Sequence, residues 1–173
     1  VRREQCEEGV KIISKGMPHV KSLRDVNADI IARFRDKMSP DVLMRCEYVV
    51  EENQRLLKAC DALAANDPRT LGQLMFGSHK GLKEKYEVSC PELDKLVEIA
   101  SSTNGVLGAR MMGGGFGGCT INLIKSTEVK SFVARASDEF QKTFKIKPLF
   151  HRVSIGKGAS MRERVLEETP VKL

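Results

Sequence analysis

The sequence is 173 residues long, enough for one domain with a substantial core or one domain with an appended helical segment. Hydrophobic residues make up 41% and charged residues 30%, and no window approaches the roughly 18 unbroken apolar residues of a membrane span. The net charge of +6 comes from 29 basic residues interleaved with 23 acidic ones, and there is no tryptophan. This composition argues against a membrane partner and against nucleic-acid binding.

Five cysteines, odd in number and widely scattered, form no C-x-x-C pair and have no histidines clustered with them. We therefore expect no metal site and no disulfide framework, but buried reduced thiols in a cytoplasmic protein. The first residues, VRREQCEEGV, are charged, lack the apolar run of a signal peptide and do not start with methionine. These features favour a chain cut from a longer protein.

The N-terminal third of the sequence predicts three helices. Residues 1 to 16 place apolar side chains at helical spacing, KGMPHVKSL breaks that helix, and residues 25 to 37 are helical in pattern again. Ser39 can cap a long amphipathic helix that has Pro40 in its first turn. NDP at 66 to 68 ends this helix, whose apolar stripe is Val42, Cys46, Val49, Leu56, Cys60 and Leu63.

Two more helices are predicted before the pattern changes. Asp67 and Pro68 open the first of them, and its inner stripe is Leu71, Leu74, Ser78 and Leu82. Ser89 and Glu92 then have the spacing of a capping box, and Pro91 suits the first turn of the helix that follows. The side chains that this short helix turns inward are Leu93, Leu96, Val97 and Ala100.

The rest of the chain predicts strands around one helix. Residues 106 to 111 and 119 to 125 have strand patterns, a helix is expected from about 128 to 144, and Pro148 introduces a last strand, LFHRVS. The layout predicts an α+β fold in which a helical N-terminal half packs with a small antiparallel sheet and further helices.

We divide the chain into three parts. Residues 1–66 are expected to form a helical segment, residues 67–159 an α+β domain that carries a glycine-rich loop, and residues 160–173 a polar tail.

The stretch ARMMGGGFGGCTINLI, residues 109 to 124, places five glycines in six positions between two apolar strands. A linker would be polar on both sides, and a tight hairpin needs only one or two glycines. The surplus costs up to about 1 kcal/mol per position in chain entropy, so close backbone approach or positive φ must be required at several residues. Unhindered N–H groups in succession can bind an anion, and phosphate is the usual occupant. A purely structural tight connection is the alternative.

Neither common phosphate-binding motif fits this loop. G-x-x-x-x-G-K-[ST] is absent, and GGGFGG is followed by a strand where a Rossmann turn requires a helix. We therefore expect the loop to cover phosphates or a reacting centre that another part of the site supplies.

Side chains near the loop have simpler interpretations. Arg110 can face phosphate, although an ion pair at the end of the strand is the simpler expectation. Cys119 is expected to be small and buried, Met111 to fill the core, and Met112 to line the mouth of the pocket. His79 is expected on the surface, within a helix whose KGLKEK end is solvated.

The motif GARMMGGGFGGCTINLI resembles the third conserved motif of the superfamily of galactokinase, homoserine kinase, mevalonate kinase and phosphomevalonate kinase. YEVSCPELDKL (86 to 96) is similar to the segment that precedes this motif in galactokinases, and RREQCEE is similar to a galactokinase helix. RCEYVVEEN and LMFGSHKGLKEKYEVS resemble the same family, so the likeness runs from Arg2 to about Ala159.

The resemblance implies the C-terminal domain of an enzyme that phosphorylates the C1 hydroxyl of α-D-galactose with ATP and Mg²⁺. The family's sugar-binding residues, nucleotide loop and catalytic Asp lie in an N-terminal half that this sequence lacks, so the chain alone should be inactive and bind no cofactor. Its contribution would be one wall of the cleft, near phosphates and sugar, formed by Gly113, Gly114, Gly115, Phe116, Gly117 and Gly118. Two alternatives stay open: an N-acetylgalactosamine kinase, and a non-catalytic galactose-sensing paralogue that acts through protein partners.

Overall fold

The computed structural model describes residues 1–154 and Gly156. Within these residues, six α-helices accompany a two-stranded antiparallel sheet, in the order α1 (Arg2–Gly16), α2 (Ala28–Phe34), α3 (Pro40–Ala64), α4 (Pro68–Glu84), α5 (Pro91–Ser101), β1 (Val106–Met112), β2 (Cys119–Ile124) and α6 (Val129–Phe144). Short 3-10 helices lie at Leu23–Asp25, Arg35–Lys37 and Ser126–Glu128. The predicted α+β fold with a small antiparallel sheet is confirmed.

Side-chain caps set the starts of three helices. Asn27 caps α2, Ser39 caps α3 and Asp67 caps α4, and each accepts a backbone N–H from the first turn. Pro40 and Pro68 occupy the first turns of α3 and α4, where a missing N–H leaves no helical hydrogen bond unmade. The predicted starts of α3 and α4 are confirmed.

The single helix predicted over residues 25 to 37 is divided. Asp25 accepts the backbone N–H of Ser22 and so closes the capping box of a separate 3-10 turn. Val26 is then extended, with φ −117° and ψ 138°, before α2 begins. Asp25 therefore ends one short turn instead of starting a long helix.

The capping box predicted for α5 is wrong. Cys90 is the N-cap residue and has no side-chain hydrogen bond to the helix, while the Ser89 hydroxyl donates to Asp94 Oδ1 at 2.6 Å. The proline at position 91 explains the shift, because it drives the residue before it into the extended region. Cys90 has φ −142° and ψ 164°, so the helix begins one residue later than the Ser89–Glu92 spacing requires.

Three clusters of buried apolar side chains form the core. The first joins α1, α2 and α3 and includes Ile13 and Cys46, both fully buried. The second packs α5 and α6 against β1 and includes Ala109 and Phe132. The third joins α3 and α4 to α5 and β1, and it consists of Tyr48, Leu82, Val88, Leu93 and Met111. The third cluster therefore links the helical N-terminal half to the sheet.

The apolar stripe predicted for the long amphipathic helix α3 is buried in the first half of the helix and exposed in the second. Val42 and Cys46 are buried, but Leu56 and Leu63 are 63% and 60% exposed, and Cys60 is exposed as well. α3 has 25 residues and α1, which packs on its first half, has 15, so they extend about 37 Å and about 22 Å. The helical phase of the stripe was correct, and its burial ends beyond the reach of α1.

The buried face of the sheet explains a second correction, at Cys119. Met111 on β1 is 1% exposed and lies opposite Thr120 of β2, so their side chains share the face that packs on the core. Cys119 and Ile121 point to the other face and are exposed. β2 thus turns its polar side toward the core, because register with β1 decides the face. Burial of thiols was predicted correctly at Cys46, whose pKa it raises to about 12.

Two glycines allow the backbone of α4 to touch that of β1. A Cβ placed on Gly72 would lie 2.0 Å from the carbonyl oxygen of Leu107. One on Gly108 would lie 2.4 Å from the Cα of Gly72. Since both distances are far below van der Waals contact, any larger residue at either position would push α4 away from the strand.

The last strand predicted from the sequence is absent from the described residues. Residues 145–154 form no strand, and Phe150 packs edge-on against Phe132 of α6, with ring centroids 6.4 Å apart. Leu149, the residue before it, is 83% exposed. The predicted tail, 160–173, lies outside the described residues. No helix of the described residues is both long and apolar enough to span a membrane.

Candidate functional site

The glycine loop, residues 113–118, connects β1 to β2 and has an unusual backbone. Positive φ angles occur at five of its six residues: Gly113 (86°), Gly115 (87°), Phe116 (60°), Gly117 (140°) and Gly118 (96°). L-residues with side chains rarely adopt this region, so glycine is required at most of these positions. The loop therefore has far more left-handed backbone than a two-residue hairpin turn needs.

One glycine of the loop is required by contact with the protein itself. A Cβ on Gly115 would lie 2.0 Å from the carbonyl oxygen of Val88. The neighbouring Phe116 N–H donates to that same oxygen at 2.8 Å. The loop is thus anchored on the α4–α5 connection, which we define as residues 85–90.

The other four glycines face open space. A Cβ on Gly113, Gly114, Gly117 or Gly118 would meet nothing within 4 Å. The protein's own packing therefore leaves room at these positions, and the loop presents a bare backbone on that side. The Phe116 ring next to them is 72% exposed.

Arg45 of α3, which sequence analysis missed, holds the α4–α5 connection. Its side chain is almost fully buried, and its guanidinium donates to the carbonyl oxygen of Lys85 and to the carboxylate of Glu87. Glu87 has a φ of 53°, so this contact stabilises a left-handed residue. A signal was present in the sequence, because Arg45 lies three residues after Val42 and four before Val49. A charged residue at that helical spacing is expected to be buried and paired.

His79 is buried, and its expected surface position is wrong. The side chain is about 5% exposed, and its Nδ1 accepts the backbone N–H of Met111 on β1 at 3.2 Å. His79 follows Gly72 by seven residues, two turns of α4, so it lies on the helix face that touches β1. Gly81 and Leu82 in the KGLKEK segment are also buried, which leaves Lys80, Lys83 and Glu84 as its solvated part.

Arg110 lies on β1 and forms an ion pair with α3, as the simpler expectation had it. Its Nη1 is 3.6 Å from Glu52 Oε1. The same carboxylate oxygen accepts the Ser78 hydroxyl at 2.5 Å, and Glu52 also pairs with Arg55. Glu52 therefore ties α3, α4 and β1 together close to the loop. Met111 is buried in the core as predicted, and Met112 is half exposed.

Metal ligands are not grouped in the part of the chain that the structure describes. No cluster of three or more His, Cys, Asp or Glu side chains there could hold a metal ion. The candidate site is therefore the bare backbone of the glycine loop, and it holds no group that could itself act as a general base.

Comparison with known proteins identifies what the chain is similar to. The family model described as "GHMP kinases C terminal" matches residues 56–142, which include the glycine loop. Galactokinase from Chloroflexus aurantiacus is 42% identical over 139 residues, which are 80% of this chain and 36% of that protein. Human galactokinase is 46% identical over 127 residues, 73% of this chain and 31% of that protein.

The fold of this chain is also similar to that of a galactokinase whose structure has been solved. The crystal structure of Lactococcus lactis galactokinase complexed with galactose has a TM-score of 0.79 and 31% identity, covering 84% of this chain and 38% of that one. The chain thus spans about a third of the length of the curated relatives that it matches.

Proposed function

The chain belongs to the GHMP kinase family, and we propose that it forms the C-terminal domain of a galactokinase, which transfers a phosphoryl group from ATP to galactose. The observation that carries this proposal is the glycine loop, which lies within the matched residues and has four glycines facing open space. The likeness to galactokinases over most of the chain supports galactose as the sugar.

The loop would act by close approach. Because no Cβ projects from Gly113, Gly114, Gly117 or Gly118, the backbone can come within hydrogen-bonding distance of phosphate and sugar oxygens. Backbone N–H groups that are already fixed stabilise charge that develops on a transferring phosphoryl group. Anchoring at Val88 holds Gly115 and Phe116 in place while the other positions meet the ligands.

The rest of the reaction would come from the other part of the enzyme. The open side of the loop, at Gly113, Gly114, Gly117 and Gly118, leaves room for the phosphates of ATP, which when bound would supply the phosphoryl group. Mg²⁺ at a phosphoryl-transfer site is held by one or two carboxylates together with the substrate phosphates. We propose that these carboxylates and the catalytic Asp belong to the part of the enzyme outside this chain. We therefore propose that the chain by itself neither holds a cofactor nor phosphorylates galactose.

The experiment that tests this function uses the full-length parent protein and the 173-residue chain side by side. Each is assayed with ATP and Mg²⁺ against galactose, N-acetylgalactosamine and mevalonate. We expect the parent to phosphorylate galactose and the chain to have no measurable activity. A preference for N-acetylgalactosamine, or no turnover by a folded parent that binds galactose, would replace the proposed function with one of the two alternatives. Robust turnover by the chain alone would overturn the division of the site.

Replacing Gly114 with serine tests the loop directly. Gly114 has no positive φ, and a Cβ there meets nothing within 4 Å, so the variant should keep its fold. If ligands occupy that open space, the serine side chain displaces them, and kcat/KM for galactose should fall by at least about tenfold in the full-length enzyme. Thermal unfolding checks the fold, and Ala134→Ser on the exposed face of α6 is the matched control. Unchanged kcat/KM in Gly114→Ser would place the ligands elsewhere.

A further inference from the structure

The glycine loop is held at two points, and one of them is a histidine. The first is the Phe116 N–H, which donates to Val88 in the α4–α5 connection at 2.8 Å. The second is the Met111 N–H, two residues before the loop, which donates to His79 Nδ1 at 3.2 Å. A side chain of α4 therefore serves β1 as a hydrogen-bond acceptor where a neighbouring strand would otherwise do so.

The surroundings of His79 favour the form of the ring that can accept this bond. Burial lowers the pKa of His79 despite the Asp94 carboxylate of α5, which acts in the opposite direction. Lys83 of α4 and Arg110 of β1 also disfavour the charged ring. A neutral imidazole that accepts at Nδ1 carries its proton on Nε2, and Nε2 lies 3.2 Å from Asp94 Oδ1.

Asp94 joins the two anchor points of the loop. Its Oδ1 accepts the hydroxyl of Ser89 at 2.6 Å, and Ser89 directly follows Val88. Its Oδ2 lies 3.1 Å from Lys83 Nζ. Polar contacts thus run from the Met111 amide through His79 and Asp94 to the connection that holds Phe116. Within this series, His79 Nε2 and Asp94 Oδ1 approach closely without hydrogen-bond geometry.

We infer that His79 is a positioning residue for the glycine loop, and that it acts through its hydrogen bond to the Met111 backbone. The side chain does not reach the open side of the loop, because it is buried between α4 and β1. Its effect on phosphoryl transfer rests on the proposed function, whereas its effect on the backbone of the loop does not. Displacing reacting groups by about 1 Å can cost roughly a hundredfold in rate, so a fixed loop matters for turnover.

Three substitutions separate this role from simple filling of the core. His79→Asn keeps an acceptor close to the position of Nδ1, His79→Gln keeps a polar group near Asp94 without that acceptor, and His79→Leu has neither. Ile13→Ala, in the core between α1 and α3, is the control for loss of stability alone.

Amide hydrogen exchange of the 173-residue chain is the first measurement. We expect protection of the Met111 amide, relative to the β1 average, to fall about tenfold or more in His79→Leu and His79→Gln. His79→Asn should retain it, and Ile13→Ala should change protection without singling out Met111. The inference would be overturned if the Met111 amide lost as much protection in His79→Asn as in His79→Leu. It would also be overturned if Ile13→Ala lowered the protection of Met111 more than that of the rest of β1.

Galactose kinetics of the full-length enzyme are the second measurement. We expect kcat to fall about tenfold in His79→Leu and His79→Gln with KM for galactose changed less than about twofold, and His79→Asn to restore kcat. If the wild-type parent does not phosphorylate galactose, the proposed function fails, and the exchange data alone decide the role of His79. If the parent is active and kcat follows stability alone across the three variants and Ile13→Ala, the inference fails and the function stands.

Discussion

Replacing Arg45 with methionine is expected to lower the free energy of unfolding by about 2 to 4 kcal/mol, because a buried acceptor loses its donor. Methionine can fill the volume of the aliphatic part of arginine, so the cost comes from the polar groups. The carbonyl oxygen of Lys85 would be left without its charged donor inside the protein, and the Glu87 carboxylate would lose its buried partner. Arg45 Nε also donates to Gln5 of α1, so the change would loosen three elements at once.

Urea unfolding of the 173-residue chain measures this effect. Arg3→Met is the matched control, since Arg3 is exposed and its ion pair with Glu7 lies within one turn of α1. Exposed pairs contribute little to stability, so this variant should unfold at the same urea concentration as the wild type. Equal midpoints for the two variants would show that the α4–α5 connection is held without a net contribution from Arg45, by its apolar packing and by other polar contacts such as those of Arg2 with Tyr86 and Glu87.

Local chemistry made several elements predictable from sequence. The starts of α3 and α4 follow from Ser39-Pro40 and Asp67-Pro68, because a capping oxygen and the N–H that it accepts lie within three residues. The start of α5 failed by one position for an equally local reason, since Pro91 forced Cys90 into the extended region. The mainly apolar segment before the glycines and the alternation of apolar and polar residues after them were enough to predict β1 and β2.

Burial was harder to predict, because it depends on elements distant in sequence. The stripe on α3 has the right period, but whether Leu56 or Leu63 is covered depends on which elements pack against that part of the helix. The face on which Cys119 lies depends on its register with β1. Periodicity specifies which side chains share a face, and only packing specifies which face is covered.

The candidate site divides in the same way. A surplus of glycines within one short segment is visible in the sequence, so the loop could be identified as special. Its supports could not, since His79 and Met111 are 32 positions apart and Arg45 and Lys85 are 40 apart. Two weak signals existed, a charge within an apolar stripe at Arg45 and the seven-residue spacing of Gly72 and His79. The first signal can be interpreted only once α3 is known to pack on the α4–α5 connection. The second can be interpreted only once α4 is known to pack on β1.

Replacing Gly115 with alanine should have a much larger effect on the loop than the same change at Gly113. The two residues have nearly the same φ, 87° and 86°, so both variants incur about 1 to 2 kcal/mol of backbone strain. Only the Cβ at Gly115 collides with the protein, 2.0 Å from the carbonyl oxygen of Val88. That oxygen also accepts the Phe116 N–H, so moving it away breaks the anchor of the loop.

We therefore expect the free energy of unfolding of Gly115→Ala to be about 1 to 3 kcal/mol lower than that of Gly113→Ala. This difference is about the cost of a lost hydrogen bond plus local strain. The Phe116 amide should lose its protection from hydrogen exchange in Gly115→Ala and keep it in Gly113→Ala. Since Gly113 supplies the same strain without the clash, the difference between the two variants reports the contact with Val88 alone. Equal stability and equal protection would mean that the loop keeps its shape without that anchor, and its left-handed backbone would then have to be set by its own glycines.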